Sequence, residues 1–191
     1  MRLDLVVGPN GAGKTTFIRK VLRHSVTAGS VFVNADEIAA QRWPDEPERM
    51  SYAAAEVADA TRQALISAGR PLIAETVFSH RSKIDLITDA QEANYTVALH
   101  VLLVPEDLAV VRVKYRVASG GHSVPEAKVR QRYQRLWGLV AEAIEMCDSS
   151  SVYDNSAHGG PRIVAQLVYG VPIGVLAWPP WTSEIFTERW P

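Results

Sequence analysis

Gly8-Pro9-Asn10-Gly11-Ala12-Gly13-Lys14-Thr15 fits the pattern G-x-x-x-x-G-K-[ST] of a phosphate-binding loop. The apolar run Leu3-Asp4-Leu5-Val6-Val7 before it predicts a buried strand, and Thr16 to Leu22 after it predicts a helix. Strand, loop and helix are the context this motif requires. Its backbone amides point inward as an anion nest at the positive end of the helix. Gly8 through Thr16 is therefore the expected nucleotide site. Lys14 supplies a point charge to the β- and γ-phosphates of ATP or GTP, and the Thr15 hydroxyl is the expected Mg²⁺ ligand.

Outward from the loop, strand and helix alternate. Short strands are expected at Ser30–Asn34 and Pro71–Thr76, and a longer central one at Tyr95–Val104. Helices are expected over Glu48–Ala68, from the Ser79–Lys83 segment to about Glu92, from Pro105, and from Pro125 to about Cys147. Ala28-Gly29 reads as the stop of the first helix, and Ser119-Gly120-Gly121-His122-Ser123 as a break between the last two. Ser151–Asn155 is expected to be the last strand of the main sheet. Arg162–Gly170 and Val171–Trp178 read as two further β segments, and the tail carrying Trp181 and Trp190 has no assignment. The alternation predicts an α/β P-loop fold: a parallel sheet with helices on both faces, in one domain over residues 1–191. A small helical arginine lid is expected over residues 112–135, with the C-terminal β segments at 162–178.

Composition narrows the function. The chain has 191 residues, 47% of them hydrophobic, and a net charge of −1. That argues against a broad nucleic-acid or anionic-membrane surface. No apolar run reaches the ~20 residues of a membrane span, and the first strand begins too early to leave room for a signal peptide. With the single cysteine, Cys147, this points to a reducing cytoplasm.

Ligands of an open parallel sheet sit beyond the carboxyl ends of its strands. Asp36 follows the second strand there and Glu75-Thr76 closes the third. Asp36 reads either as the base for an acceptor hydroxyl or as a helix N-cap. Glu75 reads as a holder of Mg²⁺ or its waters, or as an acceptor contact beside Thr76. Arg116, Arg130 and Arg132 flank the Gly-Gly break and are the candidates for closing over the phosphates; Arg112, Lys114, Lys128 and Arg135 read as surface residues. An ABC-type motor is excluded: Leu and Gln are missing around Ser119-Gly120-Gly121, and Pro105 stands where the Tyr95–Val104 strand would need a closing aspartate.

Several motifs in order carry a family resemblance. They are Gly8–Thr16, Asn34-Ala35-Asp36-Glu37-Ile38, Ala74-Glu75-Thr76, Gly120–Glu126 with Arg130-Gln131-Arg132-Tyr133, and Val152-Tyr153-Asp154-Asn155-Ser156. Together they resemble the zeta-toxin-like P-loop kinases, and more narrowly the small bacterial branch labelled predicted ABC-type ATPase. Zeta toxins belong to toxin–antitoxin systems and move the γ-phosphate of ATP or GTP to the sugar 3′-hydroxyl of UDP-N-acetylglucosamine. The resemblance implies that Lys14 and Thr15 hold nucleotide and Mg²⁺, that Asp36 is the acceptor base, and that Glu75 lines the sugar site. It also implies that Arg116 and Arg130 clamp the phosphates and that an antitoxin protein is a partner. Two readings compete: a housekeeping kinase for a nucleoside, sugar or polynucleotide end, and a nucleotide-binding switch without transfer.

Overall fold

The computed structural model describes residues 1–22, 29–118 and 124–191. Seven strands form one sheet in the order β2-β3-β1-β4-β5-β6-β7. They are β1 (Arg2–Val7), β2 (Val31–Val33), β3 (Leu72–Thr76), β4 (Thr96–Leu103), β5 (Ser149–Asp154), β6 (Arg162–Val168) and β7 (Val171–Pro172). The first five run parallel, with Leu5 beside Ala74 on one side and Leu99 on the other. β1 and β4 lie at the centre and bury nearly every residue. A strand buried on both sides needs helices on both faces, which is why these runs read as continuous rather than alternating.

The helices are α1 (Lys14–Lys20), α2 (Ala35–Arg42), α3 (Ser51–Ser67), α4 (Ser82–Glu92), α5 (Glu106–Ala118), α6 (Glu126–Met146) and α7 (Glu184–Arg189). Among the described residues no helix is long and apolar enough to cross a membrane. The expected stop at Ala28 and the break Ser119-Gly120-Gly121-His122-Ser123 lie outside the described residues.

The sheet does not end at β5. β6 pairs antiparallel with β5 through a register shift at Val152/Tyr153, and β7 pairs antiparallel with β6. The hairpin turns at Tyr169 and Gly170, both with positive φ (47° and 73°), the pattern of a type I′ turn. A tyrosine in the first of these positions hides the turn from a sequence reading. The expected strand Val171–Trp178 shrinks to Val171–Pro172, with Ile173 N and Ala177 N still donating to Gln166 O and Val164 O of β6.

The C-terminal aromatics are packing residues. Phe186 is fully buried, its ring 5.6 Å from that of Trp137 and 5.8 Å from those of Trp178 and Trp190. Trp190 Nε1 donates to Gly170 O at 2.8 Å, tying the tail to the hairpin. Phe186→Ala is expected to cost about 3–5 kcal/mol. At roughly 2–4 °C per kcal/mol for a chain this size, the melting temperature should fall by about 6–20 °C in a calorimetric scan.

Candidate active site

The chain leaves β1 for β2 on one side of the sheet and later returns to β4 on the other. A crevice opens at such a switch point, beyond the carboxyl ends of the strands, and the loop Gly8–Lys14 occupies it. Two of its glycines are fixed by geometry. Gly11 (φ 79°) would place a Cβ 2.5 Å from Ala109 O, and Gly13 (φ 84°) would place one 2.8 Å from Asn155 Nδ2. A side chain at either position meets both strain and a neighbour.

Lys14 begins α1 and is buried, its Nζ donating to Gly8 O and Pro9 O at 3.0 Å each. Burial pushes its pKa down, the carboxylates of Glu75 and Asp36 oppose that shift, and Arg116 and Arg132 add to it. These four charges therefore converge on the loop. Glu75, at the end of β3, accepts from Thr15 Oγ1 at 2.9–3.0 Å and from Asn34 Nδ2 at 2.7 Å. Burial pushes the Glu75 carboxyl up, more than Lys14 and its hydrogen bonds pull it down, and Asp36 pushes it up further.

The choice between cap and base for Asp36 is decided structurally in one respect. Asn34 is the N-cap of α2: its Oδ1 accepts from Asp36 N at 2.7 Å and from Glu37 N at 3.3 Å. The Asp36 side chain is therefore not needed for the cap, and it lines the cleft. Asn34 joins the cap to Glu75, a double duty that a reading focused on the acids passes over.

The cleft is about 1080 Å³. Asn10, Gly11, Gly13, Lys14, Thr15 and Thr16 line its loop side, with Asp36, Glu75 and Thr76 beside them. Gly8, Pro9 and Ala12 sit behind this surface as the buried frame of the loop, Pro9 O accepting from Ala12 N at 3.1 Å. Arg116 on α5 and Arg132 on α6 line the opposite wall.

Arg130 is not brought to the cleft. Its guanidinium meets Glu106, Asp107 and Glu126 at 3.0–3.2 Å, which fastens the start of α6 to the start of α5. Helical spacing explains the difference: Lys128, Arg132 and Arg135 share the cleft-facing stripe of α6, and a residue two positions from Lys128 points away. Arg112, Lys128 and Arg135, read from sequence as surface residues, line the cleft, whereas Lys114 pairs outside it with Glu126.

A second recess of about 390 Å³ lies behind the loop, lined by Gly11, Thr16, Phe17, Arg112, Asn155 and His158 among others. Arg112 donates to Asn155 O at 2.9 Å and Ser156 O at 3.1 Å, and Asn155 Nδ2 donates to Ala12 O at 2.7 Å. The segment after β5 is thereby laced to the phosphate loop. Asn155→Ala removes one such bond, with a net worth of about 1 kcal/mol. Nucleotide affinity is expected to weaken about fivefold in a fluorescence titration.

Thr15 and Glu75 offer a hydroxyl and a carboxylate within hydrogen-bond distance of each other. This is the hard-oxygen set that suits Mg²⁺ when substrate phosphates and waters complete the shell. Among the described residues no group of three or more His, Cys, Asp or Glu side chains is placed to hold a metal alone.

Comparisons with known proteins bear on the fold. The family described as AAA domain matches residues 3–137. No curated protein sequence matches. Among solved structures, the AvrRxo1-ORF1:-ORF2 complex with ATP is similar at TM-score 0.68 and 20% identity, over 90% of this chain and 59% of that one. This chain thus spans about three fifths of that protein's length. The PezAT chromosomal toxin–antitoxin system of Streptococcus pneumoniae is similar at TM-score 0.64 and 15% identity, over 87% and 72% of the two chains. The Pnkp1/Rnl/Hen1 RNA repair complex is similar at TM-score 0.58 and 23% identity, over 74% and 45%. At these identities the likeness is one of fold. With its phosphate loop at the switch point of a parallel sheet, the chain belongs to the AAA domain family and has the fold of a P-loop nucleotide-binding domain.

Proposed function

We propose that the chain is an ATP-dependent phosphotransferase, one kinase domain over residues 1–191, that moves the γ-phosphate to a sugar hydroxyl. UDP-N-acetylglucosamine is the acceptor implied by the zeta-toxin resemblance. The observation that carries the reading is the convergence of Lys14, Thr15, Asn34, Asp36 and Glu75 on one edge of the cleft. Asp36, solvent-facing, not used in the cap and within electrostatic reach of Lys14, is a carboxylate placed to take a proton from an acceptor hydroxyl.

The Asp36 carboxylate accepts the proton of the acceptor hydroxyl. The acceptor oxygen forms a bond to the γ-phosphorus as the bond to the β–γ bridging oxygen breaks, leaving a phosphomonoester and ADP. Lys14, Arg116 and Arg132 neutralise charge on the transferring group. Thr15 and Glu75 are the residues to hold Mg²⁺, which when bound offsets phosphate charge. The recess at Phe17, Arg112 and His158 adjoins the loop and is the place for the nucleoside end.

If the chain acts as a toxin, its partner is an antitoxin protein; PezAT, whose fold it shares, is a toxin–antitoxin system. Incubation with Mg-ATP and UDP-N-acetylglucosamine, followed by phosphorus NMR, tests the reading. A new phosphomonoester signal is expected. Absence of any ester across UDP-sugars, nucleosides, sugar acids and polynucleotide ends would overturn it.

A pH dependence follows from Glu75. The raised carboxyl must be ionised to hold the metal, so activity falls as pH drops through its pKa. The acid limb of kcat/KM reports the free enzyme. Mg²⁺ competes with the Glu75 proton, so the acid limb is expected to move to higher pH as Mg²⁺ is lowered, in profiles measured at limiting and at saturating Mg²⁺.

A further inference from the structure

Among the described residues the cleft is lined by nine Lys and Arg side chains and only three Asp and Glu. The whole chain has a net charge of −1, so the positive charge is concentrated here. Lys14, Arg116 and Arg132 form the group around the phosphate loop. Arg62 and Lys83 belong to another wall, built by α3 and the start of α4.

That wall has a distinct construction. Ser51, Tyr52, Ala55 and Arg62 turn one stripe of α3 toward the cleft. At the exit of β3, Phe78 takes φ 65° with its ring fully buried, and the chain then runs through Ser79 and His80 into α4. Lys83, in the first turn of that helix, reaches the carboxylate that Arg62 contacts. Arg62 is 96% buried, its relative exposure being only 4%.

Arg62 and Lys83 share a single carboxylate. Arg62 Nη2 contacts Asp59, and Lys83 Nζ donates to the same oxygen at 2.9 Å. Arg62 Nε finds no acceptor among the described residues. A guanidinium has five N–H donors, and the half-exposed Asp59 leaves the buried Nε of Arg62 without an acceptor. A buried cation left short of acceptors is costly unless something supplies them.

We propose that this wall is an oxyanion subsite, and that the acceptor carries a phosphate or carboxylate group which docks on Arg62 and Lys83 while its hydroxyl faces Asp36. The assignment of the anion to the acceptor rests on the phosphotransferase reading; the subsite itself does not. A neutral sugar or nucleoside leaves Arg62 and Lys83 without their second partner and is a poor acceptor. The alternative use of the cluster is a clamp between α3 and α4, with no ligand.

The test is isothermal titration of the full chain, its phosphate loop first saturated with Mg²⁺ and a non-hydrolysable ATP analogue. Inorganic phosphate and malonate are titrated separately, which distinguishes phosphate from carboxylate recognition. Binding of at least one is expected, weakened about tenfold or more by Arg62→Gln and by Lys83→Met, since each removes a charge-assisted hydrogen bond. Asp59→Asn removes the competing carboxylate and is expected to tighten binding several-fold. A clamp would show the opposite: a lower melting temperature in Asp59→Asn with no gain in affinity. If Arg62→Gln does not fold, the more exposed Lys83→Met carries the comparison. No binding to the wild type, or equal binding in the variants, overturns the subsite. The titration involves no transfer, so the subsite stands or falls separately from the kinase reading.

Discussion

Replacing Asp36 with Asn is expected to lower kcat for phosphoryl transfer by about 10²–10⁴-fold, the range for loss of a positioned general base. The same change should scarcely move the melting temperature. Asn34, not Asp36, accepts the amide hydrogens that open α2. Asp36 is exposed and lines the cleft, and exposed substitutions away from caps and ion pairs usually stay within about 0.5 kcal/mol. The pairing of a large kinetic effect with a small stability effect is the signature. Steady-state transfer rates and a thermal melt of the same two preparations check it. A drop of several degrees in melting temperature would return Asp36 to a structural role.

Lys14→Met should be nearly as damaging to transfer, by about 10²–10³-fold, the cost of removing one preorganised charge from a transferring group. Methionine keeps the buried stem and deletes the ammonium. Stability should respond in the other direction. Burial holds the Lys14 pKa below its ordinary 10.5, so the folded state binds that proton more weakly than the unfolded chain. The wild type therefore gains stability as pH rises from the folded-state pKa toward 10.5, and the Met variant lacks that gain. Urea melts of both proteins at stepped alkaline pH measure the difference between them. Parallel curves would show that the buried ammonium carries no such penalty.

Much of this site is legible in the sequence because its parts are local. A loop bounded by strand and helix fixes where phosphates bind, and apolar runs fix which strands are central. Asp36 and Glu75 lie at strand exits, where an open sheet places its ligands. The parts that escape a linear reading depend on pairing across the fold. Arg130 and Arg132 differ by two positions, and only the rotation of α6 against α5 decides that Arg132 faces the cleft while Arg130 meets three carboxylates. Arg112 gains its place from carbonyls more than forty residues away on the segment after β5. Asn34 is unremarkable in sequence and becomes central because it caps α2 with one amide atom and holds Glu75 with the other. β6 and β7 read as β segments in the sequence, but the pairing of β6 with β5 is long-range, and the hairpin that adds β7 turns at a tyrosine with positive φ.

The electrostatic character of the cleft is also a tertiary property. Basic side chains spread over α1, α3, α4, α5 and α6 cancel against acids when counted along the chain. They converge when the helices pack, leaving a positive cleft in a chain of near-neutral charge. A near-neutral net charge disfavours a broad nucleic-acid surface but is compatible with a concave site holding one anionic molecule.

Transfer of a phosphoryl group separates a kinase cleft from one that merely holds a nucleotide. The direct measurement is the fate of labelled γ-phosphate from Mg-ATP in the presence of UDP-N-acetylglucosamine and matched anionic and neutral acceptors. Asp36→Asn and Lys14→Met are run alongside. Label is expected in an acceptor ester, dependent on both residues. Nucleotide bound with no label in any acceptor, or transfer at the wild-type rate in Asp36→Asn, would contradict the kinase reading.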